Sequence, residues 1–284
     1  MVSISRVVFE NFKGLRNYSL TLDHMNILVG PNNAGKSTVV GAFRALAAAL
    51  RTAHSKNPQF LTGPSRGFGY SVPGESIPTS LENAQTDLQD VETTITFHLS
   101  NGNRLILSFP QGHTGCYLHT EAPRRITSTT SFKEAYPIEV IVVPVLGPTE
   151  HEEEVVEQAT VERNLATHRA SRNFRNYWWY NRDRFDELRE WVQQTWPGIT
   201  INVPETSSDF KVLAMFCVEG RMTRELYWIG TGFQIWCQLL THILRAREST
   251  LLVIDEAEIY LHPDLQRRLV SILRELGPDI LVAT

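Results

Sequence analysis

Gly30-Pro31-Asn32-Asn33-Ala34-Gly35-Lys36-Ser37-Thr38 fills every fixed position of the G-x-x-x-x-G-K-[ST] pattern. The flanks agree with it. Met25-Asn26-Ile27-Leu28-Val29 reads as a buried strand, and Val39 to Ala53 reads as a helix rich in Ala and Leu. Strand, glycine loop and helix, in that order, are what phosphate binding needs. Gly30 and Gly35 let the backbone curl so that its N–H groups point at phosphate oxygens. The first turn of the helix adds partial positive charge. Lys36 is expected to reach the β- and γ-phosphates of a nucleotide, and the Ser37 hydroxyl to sit on Mg²⁺. A glycine turn before an ordinary helix is the bland alternative, and it leaves the complete pattern unexplained.

A loop of this kind announces a nucleotide and leaves the reaction open. Ser249-Thr250-Leu251-Leu252-Val253-Ile254-Asp255-Glu256 is an apolar run that ends in two acids. It reads as a fully buried parallel strand with its carboxylates delivered at the C-terminal end, where open α/β sheets bind ligands. Asp255 is expected in the Mg²⁺ shell. Glu256 is expected to orient or deprotonate an attacking water. Just upstream, Trp228-Ile229-Gly230-Thr231-Gly232-Phe233-Gln234 is a glycine-spaced turn before the apolar helix Ile235 to Arg245. Two glycines, a hydroxyl and a Gln at a helix start form a second potential anion site, and a plain helix-entry loop is the competing reading.

The order of these motifs resembles the ABC-type ATPases. Within them it is most similar to the branch that holds RecF, the SMC proteins and the overcoming-lysogenization-defect (OLD) nucleases. Ile4 to Leu15 is similar to that branch's first strand and its Asn-Phe-(Arg/Lys) turn, here Asn11-Phe12-Lys13. Thr231-Gly232-Phe233-Gln234 matches the core of the ABC signature, with Thr in place of the usual Ser. Glu256-Ala257-Glu258-Ile259-Tyr260-Leu261-His262-Pro263 is similar to the segment after the catalytic Glu in OLD-like proteins, although Ala257 stands where Pro is more usual. The resemblance implies an α/β P-loop NTPase: an ABC-type head with an antiparallel β subdomain and a helical insertion. It implies Mg²⁺-dependent ATP hydrolysis, with Glu256 and Lys36 catalytic. ATP contacts would come from Gly30, Pro31, Asn32, Asn33, Ala34, Gly35, Lys36, Ser37 and Thr38, from Asn11, Phe12 and Lys13, and from Thr231, Gly232 and Gln234. The last three would cap the γ-phosphate held by a second head. Implied partners are that second head, a nuclease or other effector, and DNA, in a cytoplasmic setting and often in phage defence. A RecF-like DNA-repair ATPase and a nucleotide-binding scaffold with little turnover are the alternatives.

Composition fits this class. At 284 residues the chain has room for one large domain or a domain with a big insertion. It shows neither a signal peptide nor an apolar run long enough to cross a bilayer. Cys116, Cys217 and Cys237 are isolated, so buried free thiols are expected rather than zinc or disulfides. The nine histidines form no H-E-x-x-H cluster. A formal net charge of −4 argues against wholesale electrostatic coating of DNA. One stretch is locally basic: Arg163, His168, Arg169, Arg172, Arg175, Arg182 and Arg184 occur among Phe174, Tyr177, Trp178, Trp179 and Tyr180. It reads as an amphipathic helix with a solvated arginine face, as a protein interface, or as a clamp that stacks nucleic acid.

Along the chain, 54–90 is rich in Pro, Gly, Ser and Asn and reads as a long loop. Residues 91–148 read as a β-rich subdomain, with an Asn101-Gly102 turn between two strands. Residues 149–198 read as a helical insertion, and 199–284 as the lobe holding the signature and acidic strand, with a helix from Pro263 to Leu276. The helical stretch carries no long heptad seam, which favours a compact head over an SMC-type tether. No Asn-Lys-x-Asp motif supports a GTPase. A small-molecule kinase leaves the glycine signature unexplained, and Leu261-His262-Pro263 points away from transporter ATPases. Pro278 to Thr284 reads as a core strand that stops where the family typically places a switch histidine. A single head that is truncated, binds ATP and hydrolyses it poorly is therefore expected.

Overall fold

The computed structural model describes residues 2–61, 67–77, 93–110, 115–206 and 211–284. Its elements begin with β1 (Ile4–Phe12), β2 (Leu15–Thr21), β3 (Met25–Leu28), α1 (Lys36–Ser55), β4 (Gln59–Leu61) and β5 (Gly67–Val72). Then come β6 (Thr93–Leu99), β7 (Arg104–Phe109), β8 (Cys116–Glu121), α2 (Thr129–Ala135) and β9 (Val140–Val143). The middle holds β10 (Glu153–Glu154), α3 (Gln158–Asn164), α4 (Phe174–Tyr180), α5 (Phe185–Thr195), β11 (Ile199–Ile201) and β12 (Glu205–Thr206). The last elements are β13 (Val212–Ala214), β14 (Phe216–Glu219), β15 (Met222–Glu225), α6 (Thr231–Ala246), β16 (Leu251–Asp255), α7 (Pro263–Arg274) and β17 (Asp279–Ala283). Two compact units result, neither continuous in sequence: 1–142 with 249–253 and 277–284, and 143–248 with 254–276.

The first unit carries a seven-stranded antiparallel sheet in the order β2-β1-β6-β7-β8-β5-β4. Its strands alternate as a half-buried sheet should: Ile95, Phe97 and Leu99 point inward from β6, with Thr94, Thr96 and His98 between them less buried. The inner face receives α1, where Phe43 meets Phe97 edge-on at 5.7 Å between ring centroids. The Ala-rich sequence of α1 lets it lie close to its neighbours; Ala42, Ala45, Ala48 and Ala49 are all buried. A second sheet of the order β3-β17-β16-β9 runs beside these elements in sequence, with β3 and β17 parallel.

Two expectations are corrected here. The stretch 54–90 is not simply a loop, because β4 and β5 lie in it and β5 pairs with β8. Gly67 and Gly69 interrupt the apolar alternation that marks a strand, and Gly69 is required by packing: a Cβ there would stand 2.5 Å from the Leu118 carbonyl oxygen. Residues 78–90 of that stretch lie outside the described residues. The run Met25–Val29 is a strand but not a buried one. It sits at the edge of its sheet, with Ile27 51% and Val29 77% exposed.

The second unit is built on α6, which is buried on nearly every side from Phe233 to Ala246. Helices α4 and α5 carry the aromatic residues of the expected insertion. Phe174, Tyr177, Trp178, Phe185, Leu188 and Val192 face inward, and the Trp178 indole N–H donates to the Thr241 hydroxyl on α6 at 2.9 Å. Two small antiparallel sheets, β10-β13-β12 and β11-β14-β15, complete the unit. α7 begins with Pro263 at a first-turn position, where its missing N–H leaves no bond unmade.

Candidate functional site

In the first unit, the glycine loop joins β3 to α1. Gly35 is the N-cap of α1 at φ 92°, a left-handed backbone that glycine adopts without strain. Asn33 is also left-handed, at φ 67°. The two turns reverse the chain twice within three residues and leave the helix N-terminus open. The Lys36 ammonium lies back across the loop and donates to the carbonyl oxygens of Gly30, at 2.5 Å, and Pro31, at 3.2 Å. Pro31, Asn32, Asn33, Ala34 and Ser37 are exposed. The arrangement offers a mobile cation, a free hydroxyl face and a helix N-terminus to an anion.

Asn11 and Phe12 end β1 and Lys13 begins the turn that follows, with Asn11 at φ 54° and Lys13 at φ 51°. Burial and the neighbouring Arg44 lower the Lys13 ammonium pKa from its ordinary value. The Phe12 side chain, expected to contact nucleotide, is fully buried and packs on Phe109 at 5.2 Å and Phe9 at 6.3 Å between centroids, so this motif position holds a core side chain.

In the second unit, β16 delivers Asp255, which is buried, and the chain then turns through Glu256, which is exposed. Glu256 stands at φ 50°, an uncommon backbone for a residue with a side chain, and such positions gather at functional sites. A small pocket beside the two acids has an apolar wall of Leu146, Ile235, Leu239 and Ile254. Among the described residues, no three His, Cys, Asp or Glu side chains gather to hold a metal. A Mg²⁺ ion carried by a nucleotide needs no such cage, since phosphate oxygens and water supply most of its ligands.

Thr231 and Gly232 open α6 behind the N-cap Gly230 and are part-exposed. Gln234 departs from expectation. It is buried, its Oε1 accepts from the Thr149 backbone N–H and hydroxyl, and its Nε2 donates to the carbonyls of Tyr227 and Ile229. Both ends of the amide are engaged within the unit, so Gln234 holds the shape of the turn.

The basic stretch is turned largely on itself. Arg182 covers the Trp179 ring at 3.9 Å and Arg247 the Trp191 ring at 4.8 Å, while Arg184 pairs with Glu187 and Arg172 with Glu150. These contacts favour the structural reading over a nucleic-acid clamp. Arg175, expected on a solvated face, is fully buried; its partners Glu153 and Glu225 lie 22 and 50 positions away, too far for any local pattern to announce. All three cysteines are buried, and burial raises the Cys116 and Cys217 thiols to about 12.

The family described as AAA domain, putative AbiEii toxin, Type IV TA system matches residues 25–284. Among curated proteins none matches the chain in sequence. Among solved structures, the Smc head domain of Pyrococcus furiosus, with an extended coiled coil and bound to the C-terminal domain of ScpA, is 10% identical with a TM-score of 0.60, over 100% of this chain and 90% of that one. A recombination mediator RecF with ATP is 8% identical with a TM-score of 0.56, over 100% and 93%. The SmcHead bound to the C-winged helix domain of ScpA is 11% identical with a TM-score of 0.59, over 99% and 90%. At these identities the likeness is one of fold alone, shared with these Smc and RecF structures. Among the described residues, no helix is long and apolar enough to cross a membrane.

Proposed function

The chain belongs to this AAA family, and we propose that it is an ATP-binding, Mg²⁺-dependent ATP-hydrolysing head that pairs with a second copy around nucleotide. The glycine loop carries the reading. Its two left-handed residues, open helix N-terminus and lysine folded over two carbonyls suit a polyphosphate.

In this reading each residue has a separate task. Lys36 leaves the Gly30 and Pro31 carbonyls and neutralises the phosphates. The Ser37 hydroxyl and the Asp255 carboxylate would be the protein's ligands for Mg²⁺, which would supply charge neutralisation. Glu256 takes or orients the proton of the attacking water. Asn11 and Lys13 offer polar contacts beside the loop. Thr231 and Gly232 face the nucleotide of the paired head.

Control of an effector that acts on DNA or in phage defence is supported by the family's description as a putative toxin and by the likeness of residues 256–263 to OLD-like proteins. The RecF-like alternative rests on fold alone.

The test is calorimetric titration with ATP and Mg²⁺, beside phosphate release, for wild type and Lys36→Ala. Wild type should bind in the micromolar range, roughly the usual span for such enzymes. The variant should lose at least about a hundredfold in affinity while remaining folded. Equal affinity in a folded Lys36→Ala protein refutes the assignment.

A further inference from the structure

The turn Leu226–Gly230, which leads into α6, is gripped at both ends by polar side chains, the buried Gln234 and the part-buried Glu225. At its far end the Gln234 amide holds the carbonyls of Tyr227 and Ile229. At its near end stands Glu225, the last residue of β15. Glu225 Oε1 accepts from Arg175 Nε at 2.9 Å, from Arg175 Nη2 at 2.7 Å and from the Met215 backbone N–H at 3.2 Å. Its Oε2 accepts from the Tyr227 backbone N–H at 2.6 Å. Arg175 reaches in the other direction too. Its Nη1 donates to the Glu150 carbonyl and to Glu153 Oε2, and Glu153 in turn receives the backbone N–H groups of Arg175 and Asn176. Burial pushes the Glu153 carboxyl above its ordinary range, against the pull of those donors.

Arg175 and Glu153 are buried and Glu225 is part-buried, and ion pairs taken out of water in this way are a weak source of stability, because desolvation offsets most of their attraction. Its better-attested use is to fix one geometry. Here the geometry fixed is that of the turn. Trp228, on that turn, is 66% exposed, and the His151 ring stacks edge-on against Tyr227 at 4.9 Å and Trp228 at 5.6 Å. A tryptophan presented to solvent on a rigid turn is the sort of residue that anchors interfaces.

We propose that Arg175 and Glu225 are a positioning pair: they tie the 150–153 segment and α4 to the signature turn, and so set where Thr231, Gly232 and Trp228 meet a second copy of the head. This rests on the reading of Thr231-Gly232 as a signature. The pair touches no ligand and acts through the turn.

The chemistry of Glu225 supplies the test. Its two oxygens accept from four N–H groups in opposite directions. An isosteric amide has one oxygen, and its NH₂ must face one set of donors. Glu225→Gln in the full chain is therefore expected to release either the guanidinium or the Tyr227 N–H. Amide exchange at Tyr227 and Ile229 should accelerate at least tenfold, while exchange in α1 stays unchanged. ATP affinity should stay within twofold, kcat should fall tenfold or more with KM unchanged, and pairing of heads by light scattering should weaken in parallel. If Glu225→Gln does not fold, Glu225→Asp keeps the charge, draws the carboxylate back by one methylene, and reads the same exchange. Unchanged exchange at Tyr227 in a folded variant overturns the proposal, and so does faster exchange with wild-type kcat and pairing. A wild-type chain that neither turns over ATP nor pairs overturns the reading of the preceding section instead, and exchange at Tyr227 then decides whether the pair holds the turn.

Discussion

The carbonyl oxygen of Tyr260 lies 3.1 Å from the place where a Cβ on Gly232 would stand. Tyr260 itself is held left-handed at φ 63° with its ring 62% exposed. The start of α6 and the loop after β16 thus approach closely, and a Cβ at 232 would require the Tyr260 carbonyl to give by a few tenths of an ångström. Gly232→Arg should bind nucleotide with wild-type affinity but fail to form ATP-dependent pairs, and Gly232→Ala should weaken pairing less. Light scattering with and without ATP checks this. Unchanged pairing by the arginine variant would mean that the glycine serves packing alone.

Glu256 is exposed, and its backbone strain costs on the order of 1–3 kcal/mol that the surrounding turn has to sustain. Replacing it by Gln preserves shape and removes the base. Turnover should drop by roughly 10²–10⁴, with nucleotide affinity retained. Phosphate release at saturating ATP is the measurement. A rate near wild type sinks the catalytic role.

Phe12 separates motif from function. Fully buried between Phe9 and Phe109, it should contribute packing only. Phe12→Ala should cost about 3–5 kcal/mol of stability and leave ATP affinity unchanged in whatever fraction remains folded. Urea unfolding and calorimetry on the same preparation separate the two effects. A loss of affinity without a loss of stability would return Phe12 to the nucleotide site.

His242, buried in α6 beside Arg245, has its pKa lowered to about 3, by burial first and by the arginine second. The unfolded chain takes up this proton near the ordinary value of 6.5, and the folded chain does not until far lower. Its contribution to stability is therefore fully present above about pH 6.5 and is lost as pH falls from there toward 3, at about 1.4 kcal/mol per pH unit. His242→Gln should remove that part of the slope. Unfolding free energies of the two proteins between pH 7 and pH 4, roughly the span of the transition, should converge as the medium becomes acidic. Parallel curves would show that His242 takes up its proton in the folded state as readily as in the unfolded one.

What the residues announced and what they hid differ for physical reasons. The glycine loop, the strand ending at Asp255 and the helix from Pro263 were legible because each is local: a few adjacent residues carry the whole pattern. The exposure of Ile27 was not, because burial of an apolar run depends on what lies beyond its sheet neighbour. β5 escaped notice because Gly69 answers to the Leu118 backbone of another strand rather than to the alternation of its own. Gln234 and Phe12 sit in family motifs, yet their environments turn them inward, and a motif records residue type without recording direction. Arg175 lies in a run that reads as a solvated basic face. Nothing nearby signals Glu153 or Glu225, whose carboxylates draw it into the interior.

The pairing of β3 with β17 has a consequence for how the protein is made. Asn26 and Ile280 are bonded across 254 positions of chain, and among the described residues β17 is the only strand beside β3. On the ribosome, the strand that leads into the glycine loop therefore waits for those 254 positions of chain to be made before its neighbour exists. Its edge stays open for that time, and the loop stays without the support that aligns it with α1. Nascent chains should accordingly be blind to ATP until β17 emerges. They should also lean on chaperones longer than a protein of this size built from local contacts, since distant strand pairing is slow and leaves sticky edges exposed meanwhile.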